Sequence, residues 1–119
     1  MGKLNVGKVI AGGLLAGLVL NTFDFVDFLQ FSVPSAADII RDFLLGVVLV
    51  WWYAAIRPRF NAGPKTALIA GTGVWLTIEI AFLSVGLGLS SMASFARNSI
   101  VPLITVNIAS VAGAWVYRE

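Results

Sequence analysis

Cysteine and histidine are absent from this 119-residue chain, and charged side chains are scarce. Their absence excludes disulfides, thiolate nucleophiles, thiolate–imidazole zinc sites, histidine-ligated haem and any Ser-His or Cys-His catalytic pair. Charged residues make up 12% of the chain, about half of the roughly 25% found in soluble domains. The net charge is only +2 and the basic residues are dispersed, so nucleic-acid binding has no support. There is no Gly-rich phosphate loop. No metal and no cofactor is expected.

Apolar residues fill the space that these absences leave, at 59% of the chain. A soluble domain this small buries too little surface to hide so much apolar area; lipid solves the problem by acting as the apolar solvent. A spanning helix needs about 20 mostly apolar residues. Four segments qualify, near residues 6–25, 37–56, 64–88 and 99–117. The expected fold is an all-α membrane protein, a single domain over residues 1–119 built as a four-transmembrane-helix bundle. Lys3 and Lys8 ahead of the first apolar run imitate a signal peptide, but no small-x-small cleavage site follows, and the segment reads as an uncleaved span.

Local chemistry sets the expected boundaries. Ser35 after Pro34 suits a helix N-cap. Arg57-Pro58-Arg59 is expected to stop the second helix, and Asn61-Ala62-Gly63-Pro64 is turn chemistry. Gly86 and Gly88 weaken the end of the third span, ahead of Ser90 and Ser91. Pro102 is tolerated if the fourth helix begins close before it.

Orientation follows from the basic residues. With a cytoplasmic N-terminus, Lys3, Lys8, Arg57, Arg59, Lys65 and Arg118 lie inside and only Arg41 and Arg97 outside, a strong positive-inside bias. Both termini are then cytoplasmic. Trp51, Trp52, Tyr53, Trp115 and Tyr117 fall at the inner headgroup level, where amphipathic rings are expected. Phe23, Phe25, Phe28, Leu29 and Phe31, interleaved with Asp24 and Asp27, read as an interfacial segment along the outer surface or as a plain loop. The chain also reads as two copies of one helical hairpin: Val9-Ile10-Ala11-Gly12-Gly13 is similar to Leu68-Ile69-Ala70-Gly71-Thr72, and Val50-Trp51-Trp52-Tyr53 to Ala114-Trp115-Val116-Tyr117.

Helices in lipid associate by close backbone approach. Gly13 and Gly17 on the first span, with Ala109 and Gly113 on the fourth, are the expected packing positions; Gly71 and Gly73 are weaker candidates. They serve packing within the chain or a homo-oligomer seam.

The polar residues inside the membrane are the candidate site: Asn21, Asp24, Arg41, Asp42, Glu79 and Asn107. Glu79 stands 14 residues beyond Lys65, about 21 Å up a helix at 1.5 Å per residue. A carboxylate at that depth costs roughly 2.5–3.5 kcal/mol on insertion scales, so it is protonated, paired or wet. One reading is a polar cavity with Glu79 and Asp42 as proton or cation sites. The other is a static network in which Arg41 pairs with Glu79 or with its neighbour Asp38.

The stretch Ile56-Arg57-Pro58-Arg59-Phe60-Asn61-Ala62-Gly63-Pro64-Lys65-Thr66-Ala67 resembles the inner loop of a group of small four-helix bacterial inner-membrane proteins with no assigned function. The opening Leu4-Asn5-Val6-Gly7-Lys8 and the closing Gly113 to Glu119 look similar to theirs. The resemblance covers about a fifth of the chain. It implies a bacterial inner-membrane location and four spans, and no activity. Small multidrug-resistance transporters match in size, but their carboxylate lies in the first span, where this chain has Asn21. Fluoride channels match in size too, but often insert both ways round, against the charge bias here.

These features point to a non-enzymatic accessory or assembly component. A small proton-coupled transporter or channel centred on Glu79 is the alternative. A divalent-cation enzyme built on Asp24, Asp27, Asp38 and Asp42 is the third reading, without any recognised loop spacing behind it. The partners expected are the lipid bilayer and either another membrane protein or a second copy of the chain.

Overall fold

In the computed structural model the chain is all-helical over the residues described, 4–28, 35–81 and 92–117, side chains 26–28 and 92–98 excepted. Four helices follow in order: α1 (Val6–Phe28), α2 (Ala36–Phe60), α3 (Pro64–Ala81) and α4 (Met92–Tyr117).

Three of them are long and apolar enough to cross a membrane, over Val6–Phe25, Ala36–Phe60 and Ser99–Tyr117. The described part of α3 is not: it has 18 residues and carries Lys65 and Glu79 near its two ends. The continuation expected to residue 88, with Gly86, Gly88, Ser90 and Ser91, lies outside the described residues. So do Lys3, Pro34, Leu29, Phe31, Arg118 and the side chains of Asp27, Phe28, Arg97 and Asn98.

The starts of α1, α2 and α3 have local causes. Asn5 Oδ1 accepts the Lys8 amide at 3.1 Å and caps α1. Ser35 caps α2 through a reciprocal box: its hydroxyl accepts the Asp38 amide (3.1 Å) and Asp38 Oδ2 accepts the Ser35 amide (2.9 Å). Pro64 opens α3, where its missing N–H is no loss.

Three expected boundaries move. α1 runs on to Phe28 rather than breaking into a surface segment or loop after residue 25. Nothing from Asn21 to Phe25 breaks a helix, and Thr22 folds its hydroxyl back onto the Leu18 carbonyl at 2.8 Å. α2 continues through Pro58 to Phe60. So close to a C-terminus the proline removes one bond and no more, while Arg57 and Arg59 in the last turn suit the helix dipole. The exposed carbonyls are taken up by Thr66, whose hydroxyl donates to Phe60 (3.0 Å) and to Asn61, and the chain reverses at Asn61 and Gly63, both at positive φ. α4 begins at Met92, so Pro102 sits in its interior rather than near its start. A proline donates nothing to the carbonyl four residues back, and one position on, the Ser99 carbonyl accepts the Trp75 indole N–H at 2.8 Å.

The helices run alternately up and down. Arg41 at the start of α2 meets Asp24 at the end of α1, and Asn5 at the start of α1 donates its amide to the Tyr117 hydroxyl at the end of α4 (3.2 Å). α1 packs on α2 and α4, α3 on α2 and α4, and the parallel pair α2 and α4 meet across the diagonal. The longest dimension is 47 Å, comparable to the 40–45 Å of a bilayer with its headgroups.

Glycine sets the spacing. A Cβ on Gly13 would lie 2.5 Å from the Val47 Cα, and one on Gly17 would lie 2.7 Å from the Phe43 Cα. Gly46 of α2 answers them, its Cα turned to the Gly13 carbonyl and the Gly17 amide. On the other side, Gly12 meets the Gly113 carbonyl and Gly113 meets Val50. Ala109 is fully buried, and Gly71 lies against Asn107. Gly73 faces open space. The small stripes are therefore spent on contacts within one chain.

The aromatics divide. Trp51, Trp52 and Trp115 are exposed, as rings at a headgroup boundary are expected to be, whereas Tyr53 and Tyr117 are buried at 1% and 3% exposure. They stack edge to face at 6.0 Å between centroids where α2 and α4 meet. The Tyr53 hydroxyl accepts the Gly63 amide (3.1 Å), and Arg57 lies over the Tyr117 ring at 5.5 Å. The two tyrosines thus tie the α2–α3 turn and the start of α1 to the core, rather than joining the belt.

Candidate polar site at the acidic end

The end of the bundle opposite the tyrosines holds most of the candidate residues, in two groups. The first lies between α1 and α2. Arg41 NH2 donates to Asp24 Oδ2 and to Asp42 Oδ1, each at 3.1 Å. Its NH1 donates to Asp38 Oδ1 at 3.1 Å and its Nε to Asp42 Oδ1 at 3.3 Å. A guanidinium suits this place because its planar fork offers five donors in fixed directions. Asp38 serves twice, as a partner of Arg41 and in the α2 cap. Asn21 closes the side of the group by donating to the Ile39 carbonyl at 3.4 Å.

Arg41 is largely exposed and Asp24 and Asp38 are half-exposed; Asp42 is buried. Its side chain is 5% exposed. Its Oδ1 receives both Arg41 bonds, and its Oδ2 is buried with no hydrogen-bond partner among the described residues.

The second group lies between α3 and α4. The Ser99 hydroxyl donates to Glu79 Oε2 at 3.0 Å, beside the bond from Trp75 to the Ser99 carbonyl. About two turns deeper on each helix, Asn107 Nδ2 donates to the Leu103 carbonyl at 2.9 Å and exchanges bonds with the Thr72 hydroxyl at 3.4 Å. Buried Ser110 donates to the Ala67 carbonyl at 2.7 Å.

The candidate residues are therefore brought together in part. Asp24, Arg41 and Asp42 meet, with Asn21 alongside; Glu79 and Asn107 are engaged across the other helix pair. No ion pair joins Arg41 to Glu79 among the described residues: the guanidinium goes to Asp38, as one alternative had it, and also to Asp24 and Asp42. Helical spacing puts Trp75 on one stripe with Thr72 and Glu79, and Ser110 on one with Asn107; Ser99 carries no such signal in the sequence. Among the described residues no three acidic side chains stand where they could hold a metal ion.

Outside the bundle, Ala37, Ile40, Leu44, Leu45 and Val48 form an open aliphatic groove of about 530 Å³ along α2, with Arg41 at its edge.

No family model matches the chain, and no curated protein or solved structure is significantly similar to it.

Proposed function

We propose that this is a four-span protein of a bacterial inner membrane, both termini cytoplasmic, that serves as a non-enzymatic accessory or assembly component. The observation that carries the reading is the glycine-mediated packing. Gly12 on Gly113, and Gly13 and Gly17 on Gly46, bring backbones into contact through the middle of the bundle. A bundle so closed is a scaffold. Its outward face is apolar, with Ile40, Leu44, Ile80, Ile104 and Trp115 all exposed, and suits lipid or the helices of a larger assembly.

Four spans are supported by connectivity. α2 and α4 run parallel and touch, so if both cross the bilayer, α3 between them returns across it. The inward orientation is supported by Lys8, Arg57, Arg59 and Lys65 at the tyrosine end against the acidic group at the other. The two halves also place Tyr53 and Tyr117, the matched aromatics of the two hairpin-like segments, against each other, which favours duplication of one hairpin.

The competing reading is a proton-coupled transporter or channel centred on Glu79. It needs polar groups along one path, whereas Glu79 bonds across α3 and α4 and Arg41 across α1 and α2.

Gentle detergent extraction from the native membrane tests the role. The chain is expected to elute with other membrane proteins, well above the size of one chain and its micelle. Elution alone, with catalytic turnover or solute flux after reconstitution, would replace the proposal. Orientation has its own check: green fluorescent protein fused after Glu119 should fluoresce, and alkaline phosphatase inserted at Ser90 should be active. The reverse pattern sinks the proposed topology.

A further inference from the structure

We propose that the groove along α2 binds one phospholipid with a primary-amine headgroup, its acyl chain lying against the helix and its ammonium meeting Asp24 and Asp38. The inference goes beyond the accessory role. It needs only that α2 cross a bilayer, and it holds whichever side of the membrane the acidic end faces.

Helical spacing builds the groove. Ala37, Ile40, Arg41, Leu44 and Val48 recur three or four residues apart and share one face of α2. Ile40, Leu44 and Val48 are exposed, so the face is open. From Ala37 to Val48 the helix climbs about 16 Å at 1.5 Å per residue, close to half of the roughly 30 Å hydrocarbon core. The groove is therefore about as deep as one leaflet, the depth an acyl chain reaches. Its polar end is the first turns of α2, next to the capped start of the helix.

Charge picks the headgroup. At that end one guanidinium faces three carboxylates, a formal balance of two negative charges. An anionic headgroup is repelled there. A second copy of the chain, seated on the groove in parallel, would bring the same negative group against this one. A headgroup that carries a cation is drawn in. Arg41, Asp24 and Asp38 are open to it, with side chains 60%, 41% and 41% exposed. A primary ammonium offers three N–H donors for carboxylate oxygens to accept; a quaternary ammonium offers none. The phosphate of the same lipid finds a donor as well. Of the five N–H groups of a guanidinium, four are engaged, with Asp24, with Asp38 and twice with Asp42. The fifth, on NH1, remains for the phosphate.

The test is native mass spectrometry of the full chain released from nanodiscs of phosphatidylethanolamine, phosphatidylglycerol and phosphatidylcholine in equal parts, all with the same acyl chains. One lipid is expected to stay bound. It should be phosphatidylethanolamine, over either competitor, by at least about 10-fold, the worth of one charge-assisted hydrogen bond. Leu44→Trp puts an indole into the groove and should remove the adduct; Leu44 is 62% exposed, so the core is undisturbed. Asp24→Asn takes away one anion and should bring phosphatidylethanolamine down towards phosphatidylcholine. The proposal is overturned if no lipid is retained, if the three are retained equally, or if another headgroup leads. Survival of the adduct in Leu44→Trp, or an unchanged preference in Asp24→Asn, also overturns it. So does a disulfide-linked dimer on oxidising Leu44→Cys, the only cysteine the variant carries, in the same nanodiscs, because a second copy then occupies the groove.

Discussion

Gly46→Ala is expected to weaken the bundle more than any other single methyl group added to it. The new Cβ would run into the Gly13 carbonyl and the Gly17 amide. These are backbone atoms and cannot swing aside as a side-chain tip would. Overpacking of this kind costs typically about 1–3 kcal/mol, and a contact with backbone on both sides belongs at the top of that range. Such a loss is a large share of the roughly 5–15 kcal/mol that holds a domain together. Gly73→Ala is the matched control: nothing lies within 4 Å of its new Cβ, so stability should be unchanged or slightly higher, alanine being the better helix former. Denaturation of the purified protein in detergent reads both. Gly46→Ala within about 0.5 kcal/mol of wild type, the spread of ordinary surface substitutions, would mean that α1 and α2 do not approach as described.

Arg41→Ala is expected to be the most damaging loss of charge. It strips Asp24, Asp38 and Asp42 of a shared cation and leaves Asp42 buried. Removing one member of a fully buried pair costs about 3–5 kcal/mol. Arg41 is 60% exposed at its side chain, so the discounted expectation is about 1–3 kcal/mol. Arg41→Lys should recover little, because an ammonium is a point charge and cannot fork to three carboxylates. Adding Asp42→Asn to Arg41→Ala should restore part of the loss, a coupling of about 0.5–3 kcal/mol for groups in direct contact. Strict additivity of the two substitutions in unfolding measurements would show that Arg41 and Asp42 are not partners.

Much of the architecture was legible because it is local. Long apolar runs between polar breaks mark Val6–Phe25 and Ser99–Tyr117 from sequence alone, and Ser35 announces α2 by its cap. Pro58 and Pro102 misled for one shared reason: a proline removes one hydrogen bond from a helix without having to end it. Beyond Pro58, Thr66 closes the helix end on the Phe60 and Asn61 carbonyls. The partners of Arg41 were less legible, since Asp38 and Glu79 were both within plausible reach. What chooses Asp24 is the sliding register of α1 against α2, and that register depends on Gly46 seating against Gly13 and Gly17, a long-range fit no window of sequence contains. The inward turn of Tyr53 had a signal that was available, because Asp42, Gly46, Leu49, Val50 and Tyr53 repeat at helical spacing and all are buried. Trp51 and Trp52 beside it drew the ring into the wrong category.

The bond from Asn5 to Tyr117 joins residues 112 apart, and the contact of Gly12 with Gly113 joins the same two helices. α1 therefore acquires one of its two neighbouring helices only when α4 docks. Until α4 has been made, the face of α1 holding Gly12 and Ala16 lacks its partner within the chain, Gly113. The arrival of α4 is the event that closes that face.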